Sequence, residues 1–376
     1  MLQSTDQLED IVNNIKIDSS RFCISNSHSF FKKYTALTVS KLQKLPQLFR
    51  FNCLFSELLE FLYKIYFEGL NRFEDNQEFE TNEEILKKIA STEIDWEFYE
   101  KLDSNNKGKG WFHPSFHIIG EEGDGSLVAE FDQMFLHIQR ERHLPLALQS
   151  ATVNDAVAIL LPSSYIHKYR YHANGDGLSL LPPAQKFRYT ILIYFNFSPE
   201  AAVYAMNCVT TKLNESRVPF YFDVLFNPLN YRFYNSGILK VFSYEYNPDL
   251  YKEFILPVLQ TIYTENKSHF REQVPIFTKM LAPGIGLAER PNPEINFRTL
   301  IESEGNYCEF IANALMEAHQ NGDESPEARM KYILKQFEQY GIDIERPYLN
   351  PGYEDIYTPL DVTNGAHGVT TTLKPR

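Results

Sequence analysis

Between residues 187 and 197, Phe187, Tyr189, Ile191, Ile193, Phe195 and Phe197 alternate with Arg188, Thr190, Leu192, Tyr194 and Asn196, the period of two that one face of a sheet requires. Ser198-Pro199-Glu200 follows and supplies an N-cap, a proline at the first helical position and an early acid, so a helix is predicted to begin at Pro199. Its apolar positions Ala202, Met206, Val209 and Leu213 fall on one stripe, able to cover the strand just left. Pro219 then precedes a strand over Phe220 to Phe226, Asn227-Pro228 opens a turn, and Gly237 to Phe242 returns as a strand. The unit reads β-α-β-β.

On the amino-terminal side the period is helical. Leu54, Leu58, Leu59, Leu62, Ile65 and Tyr66 recur at helical spacing, with Gly69 placed to stop the helix. The polar stretch Asp103 to Gly110 has the composition of a connection and marks the expected boundary. Beyond it, Phe116 to Ile119 and Leu127 to Ile138 suggest antiparallel strands about the Glu121 to Gly125 turn, Ala156 to Leu161 is a further strand ended by Pro162, and Tyr169 to Pro183 reads as a loop.

Downstream, Asn247-Pro248 opens a helix through Leu259 and Ile262 that Pro257 is expected to kink, and Val274 to Pro293 reads as a loop. Two helices follow, Tyr307 to His319 and Pro326 to Tyr340, the second with Ser325 as cap and Gly341 as stop. The expected architecture is α+β: a helical amino-terminal part over 1–104, a mixed, largely antiparallel sheet with flanking helices over 105–362, and a disordered tail over 363–376, where little can be buried.

Composition agrees with a packed core, since 43% of residues are hydrophobic and the chain holds 29 Phe and 23 Tyr. The formal net charge of −13, without a long basic stripe, argues against nucleic acid as a partner. No apolar window approaches the roughly 20 residues that span a bilayer, so no membrane partner is expected. The first twenty residues lack a basic start and a long apolar run, which leaves cytoplasmic residence as the expectation; a protein secreted without a classical signal has the same sequence character. Cys23, Cys53, Cys208 and Cys308 lack the paired spacing of a zinc site and are expected to pack as small hydrophobes.

No Walker loop, GxGxxG, HExxH or GxSxG occurs, so neither a cofactor nor a metal is expected. The densest ionisable cluster is His137 to His143, HIQRERH, at the end of an expected strand. Period two there sets His137, Gln139 and Glu141 on one face and Arg140 and Arg142 on the other, an arginine fork for phosphate or carboxylate; a solvated strand edge fits the same letters. Lys279, alone in the apolar loop PIFTKMLAPGIGLAERP, suits a base or an anion ligand, and equally a snorkelling surface lysine. His113 and His117 lack further ligands for a metal, Asp176 in NGDG reads as a turn residue, and Arg232 in YRFY is either snorkelled packing or an anion contact at a strand mouth.

At Phe195-Asn196, Phe220 to Pro228, Ser236-Gly237, Phe277-Thr278-Lys279, Leu281-Ala282-Pro283-Gly284 and Arg346-Pro347-Tyr348-Leu349-Asn350 the chain resembles the Hop outer protein A (HopA) family of type III secreted effectors, over roughly 105–360. Relatives in that family are found with clusters for ribosomally made, lanthipeptide-like peptides. Some look like the lyase partner of a kinase-like protein: the kinase phosphorylates peptide Ser or Thr, and the lyase removes phosphate to leave a dehydroamino acid. The resemblance therefore implies a peptide substrate and a kinase-like protein partner. That chemistry needs a base for the Cα proton, cations for the phosphate and an acid for the leaving group.

Carried over by position, Lys279 matches a family lysine and Arg142-His143-Leu144 a family Arg-His-Leu segment. The implied roles are catalytic for Lys279, His143 and His137, and phosphate-binding for Arg140, Arg142 and Arg232. Three positions depart: Asp223 stands where a lysine is expected, and Phe233 and Tyr307 where arginines are expected. A carboxylate there adds repulsion to a phosphate pocket. Two other readings stay open, a non-catalytic member that binds a peptide or partner through its aromatic surface, and an effector delivered to a host cell.

Overall fold

The computed structural model describes residues 2–25, 30–31, 34–70, 94–180, 189–289 and 306–360. Helix α1 (Leu2–Asn14) leads into three short strands, β1 (Lys16–Asp18), β2 (Cys23–Ser25) and β3 (Phe30–Phe31), which form a small antiparallel sheet. Helices α2 (Ala36–Gln43) and α3 (Gln47–Leu62) follow, and α3 runs on as a π-helical turn, Tyr63–Phe67. Gly69 ends that run at φ +79°, pressed against the Tyr234 ring so closely that a Cβ would lie 2.4 Å from it. The helical expectation for the amino-terminal part holds, with the small sheet added.

Helix α4 (Trp96–Asn105) continues into the polar stretch expected to be a connection, so the chain leaves helix only at Asn106. A four-stranded sheet in the order β6-β5-β4-β7 comes next, from β4 (Trp111–Glu121), β5 (Leu127–Phe131), β6 (Met134–Ile138) and β7 (Ala156–Leu161). The run Leu127 to Ile138 is thus two strands, because Asp132 and Gln133 take φ +45° and +65° and turn the chain back. Residues 140–143 form a helical turn, α5 (Arg140–His143), so the period-two assignment of Arg140 and Arg142 to one strand face is wrong.

The large sheet has seven strands in the order β13-β14-β10-β12-β11-β9-β8. They are β8 (Ser164–His167), β9 (Arg170–Asn174), β10 (Tyr189–Phe195), β11 (Phe220–Leu225), β12 (Gly237–Ser243), β13 (Lys279–Ala282) and β14 (Ile285–Glu289). Every pairing in it is antiparallel, and with the flanking helices it gives the α+β architecture with a largely antiparallel sheet that the sequence suggested. Two expected loops are strands: β9 lies inside 169–183, and the hairpin β13–β14 lies inside 274–293, its residues 290–293 falling outside the described set, like the tail 363–376.

Ser198 caps helix α6 (Pro199–Glu215) as expected, accepting from the Ala201 N–H. A π-helical stretch, Leu250–Ile255, precedes α7 (Leu256–Asn266), whose second residue is Pro257. Helices α8 (Asn306–Asn321) and α9 (Pro326–Gln339) close the described chain, with Ser325 capping α9 and Gly341 at φ +67° after it.

All seven residues of β10 are buried, because both sheet faces are covered. Ile191, Ile193 and Phe195 join a core formed with α4, α6 and α7, while Leu192 and Tyr194 face a second core built by α1, α3, the first π-turn, α8 and α9. That second cover is incomplete. Ile238 on β12 is in it, but beyond Ile238 toward β8 the same face carries Asp223, His172 and Tyr165.

Candidate functional site

Strand β9 reads Arg170-Tyr171-His172-Ala173-Asn174, so Tyr171 and Ala173 enter the first core and Arg170, His172 and Asn174 turn to the other face. Register sets His172 opposite Asp223 of β11, and Tyr221, on the same face as Asp223, opposite Lys240 of β12. Asp223 is 3% exposed and each of its oxygens is taken: Oδ1 by His172 Nδ1 and Oδ2 by Lys240 Nζ at 3.1 Å. Burial opposes the charge of Asp223, but His172, Lys240 and Arg170 outweigh it and hold the carboxyl well below the usual range. The carboxylate expected to repel a phosphate is therefore neutralised in place.

Aromatic rings wall this cluster. Tyr165, on the edge strand and 43% exposed, lies 4.3 Å from the His172 imidazole between ring centroids, and Tyr221 lies 4.8 Å away on β11. His172 is 5% exposed, and its Nε2 is buried with no hydrogen-bond partner among the described residues. Arg170 donates to the Asn235 carbonyl at 2.9 Å and sits over the Tyr169 ring. Lys64, on the π-turn, pairs with buried Glu68 at 2.6 Å; burial works against its charge, and Glu68 more than restores it, with a smaller contribution from Tyr169. The π-turn thus sets a half-buried lysine within electrostatic reach of Tyr169, the residue before Arg170.

Lys279 lies elsewhere. It occupies the other edge strand, β13, and its Nζ is 2.6 Å from Asp355 Oδ2, which also accepts from the Tyr348 hydroxyl at 2.6 Å. The ammonium rests over the Tyr348 ring at 5.4 Å. Nearby, Glu289 is 1% exposed and accepts from Tyr189 at 3.0 Å, Tyr357 at 2.8 Å and the Asn350 N–H at 2.8 Å. Burial raises its pKa against those bonds. Both clusters clamp the segment 348–357 onto the β13–β14 hairpin.

The cations of the smaller sheet are engaged locally. His137 pairs with Glu122 at 3.1 Å, and Arg140 pairs with Glu121 at 3.1 Å while donating to the Ala151 and Gln149 carbonyls. His143 Nδ1 accepts from the Gln139 N–H, and Arg142 is exposed on the same turn. Six strand spacings of about 4.8 Å separate the β13 edge from the β8 edge, about 29 Å. Among the described residues no hydrogen bond or ion pair joins Lys279 to the 137–143 segment. Arg232 is exposed on the turn after β11, near enough to Arg271 that its charge, with burial acting first, lowers the pKa of Arg271.

Two of the three departures are packing positions. Phe233 is buried in the first core, and Tyr307 packs against Phe277 and Phe337. Asp223 is the one that belongs to a polar cluster, together with Arg170, His172 and Lys240, which sequence reasoning missed. The alternation of polar Arg170, His172 and Asn174 with Tyr171 and Ala173 is the signal, and the glycines and prolines that follow it mask the strand.

Among the described residues no group of His, Cys, Asp or Glu is arranged to hold a metal, and no helix is long and apolar enough to cross a membrane. The model of the HopA1 effector protein family matches residues 169–349, a span that holds β9, β11, β12 and the Lys279 hairpin. The match covers just under half of the chain. The resemblance read from the sequence is borne out by that match. Two solved effector proteins of Pseudomonas syringae are similar to the chain, one from pathovar tomato strain DC3000 (12% identity, TM-score 0.38) and one from pathovar syringae strain 61 (14% identity, TM-score 0.39). Each alignment covers 79% of this chain and 96% of the other. A search of the curated proteins finds no match. His172, Asp223 and Lys240 all lie inside the matched stretch, whereas Tyr165 comes from outside it.

Proposed function

We propose that the protein eliminates phosphate from phosphorylated Ser or Thr in a peptide, leaving a dehydroamino acid, at the sheet face around Lys240 and Arg170. The observation that carries this reading is the placing of Lys240 and Arg170 about the buried Asp223 carboxylate, on one partly covered sheet face of a chain whose net charge is −13. Such a cluster collects a dianion where the dielectric is low, and it stabilises the phosphate as it leaves. Lys279, the lysine that matches the family, stands on the opposite edge strand, paired with Asp355, and Arg140 and Arg142 stand on the other sheet.

The test is mass spectrometry of a phosphoserine or phosphothreonine peptide incubated with the protein, alone and with a kinase-like protein encoded beside it. Loss of phosphoric acid is expected; an intact phosphopeptide in both arms overturns the reading. A non-catalytic peptide-binding role is favoured by one observation, the capture of Lys279 by Asp355 and Tyr348. Retention of an intact phosphopeptide on gel filtration is its expected result.

A further inference from the structure

We propose that His172 is the base that removes the Cα proton, with Asp223 as its positioning residue, an assignment that rests on the lyase reading above. The geometry has three parts. Asp223 binds Nδ1, and an ionised carboxylate accepts only, so Nδ1 carries the proton and Nε2 is left with its lone pair. Lys240 holds the second carboxylate oxygen, which keeps the carboxylate ionised and fixed. Nε2 is buried and has no hydrogen-bond partner among the described residues, a state that is costly in a packed interior and points to a group the site is built to receive.

The balance of the step is simple. Nε2 takes the Cα proton of the phosphorylated residue, the C–H electron pair becomes the Cα=Cβ bond, and the Cβ–O bond breaks with its pair leaving on phosphate. The imidazolium that forms is stabilised by Asp223, and the phosphate departs toward Lys240 and Arg170. No oxidant, reductant or co-reactant enters. Tyr165 packs on the imidazole from the edge strand, so the peptide reaches Nε2 by displacing that phenol.

The test combines variants with a measurement on the unaltered protein. His172→Gln is expected to lower elimination from a phosphothreonine peptide at least 10²-fold while the peptide's Kd changes less than about threefold, the signature of a lost base rather than a lost fold. Nitrogen-15 NMR of the wild-type full chain is expected to show a neutral His172 protonated at Nδ1, and Asp223→Asn to shift the ring toward the other tautomer. A His172→Gln protein that keeps elimination within tenfold of wild type overturns the assignment and leaves the lyase reading intact, and so does a neutral wild-type ring protonated at Nε2. A wild-type protein that binds the phosphopeptide and never eliminates overturns both.

Discussion

Asp223 shows how one residue's environment reverses its meaning. A carboxylate in place of an expected lysine suggests repulsion of phosphate, yet in the fold it is the anion that holds His172 and Lys240 together. Its folded pKa lies below the value of 3.8 that applies when it is free, so its contribution to stability is present above that value and is lost as pH falls through it toward the folded pKa. The charged and titratable groups around it are His172, Lys240, Arg170, Tyr165 and Tyr221. Urea unfolding between pH 7 and pH 3 is expected to show an acid limb, and Asp223→Asn to flatten that limb and cost about 2 kcal/mol at neutral pH by leaving Lys240 without its anion. An unchanged limb in the variant would assign the acid sensitivity to other carboxylates.

Single elements differ in how plainly the sequence announces them, and the reason is local chemistry. Strand β10 and helix α6 are legible because a clean period of two ends at Ser198-Pro199, where cap and proline agree. Strand β9 and the β13–β14 hairpin are not, because glycines and prolines beside them imitate loops. The site suffers the same way: His172 and Asp223 are 51 residues apart, and Lys279 and Asp355 are 76 apart, so pairing and register join them where spacing cannot. Gly284 shows what the hairpin turn requires. At φ +72° it takes a left-handed conformation, and an added Cβ would meet the Arg271 carbonyl at 2.4 Å and that of Asn196 at 2.9 Å. Neither backbone group can give way easily, since Asn196 accepts from Arg271 and donates to Gly284. Gly284→Ala is expected to lower stability by about 2 kcal/mol or more, read as a fall in the urea midpoint with an unchanged slope.

At the scale of the molecule, the two parts expected on either side of residue 104 share a core. Leu8, Ile11, Leu54, Leu58 and Phe61 pack in the same cluster as Leu192, Tyr194, Ile238, Ile311 and Ile333, so the helical part roofs one face of the large sheet. A buried cation ties the ends of the chain as well: Arg329 of α9 is 7% exposed and donates to the carbonyls of Ile15 at 2.6 Å and Val12 at 3.2 Å. Removing residues 1–104 would expose that apolar face and take two backbone acceptors from the Arg329 guanidinium, leaving it Glu324, at about 1–3 kcal/mol against a total stability on the order of 10 kcal/mol. It would also remove Phe98 and Leu102 from the first core. A fragment beginning at Asn105 is therefore expected to be insoluble or to bind a hydrophobic dye with broadened NMR signals, whereas a fragment that unfolds cooperatively would restore the two-part division. The comparison also bears on the chemistry: because the roof ends at Ile238, beside Asp223, the same helices that complete the core set the inner rim of the His172 cluster.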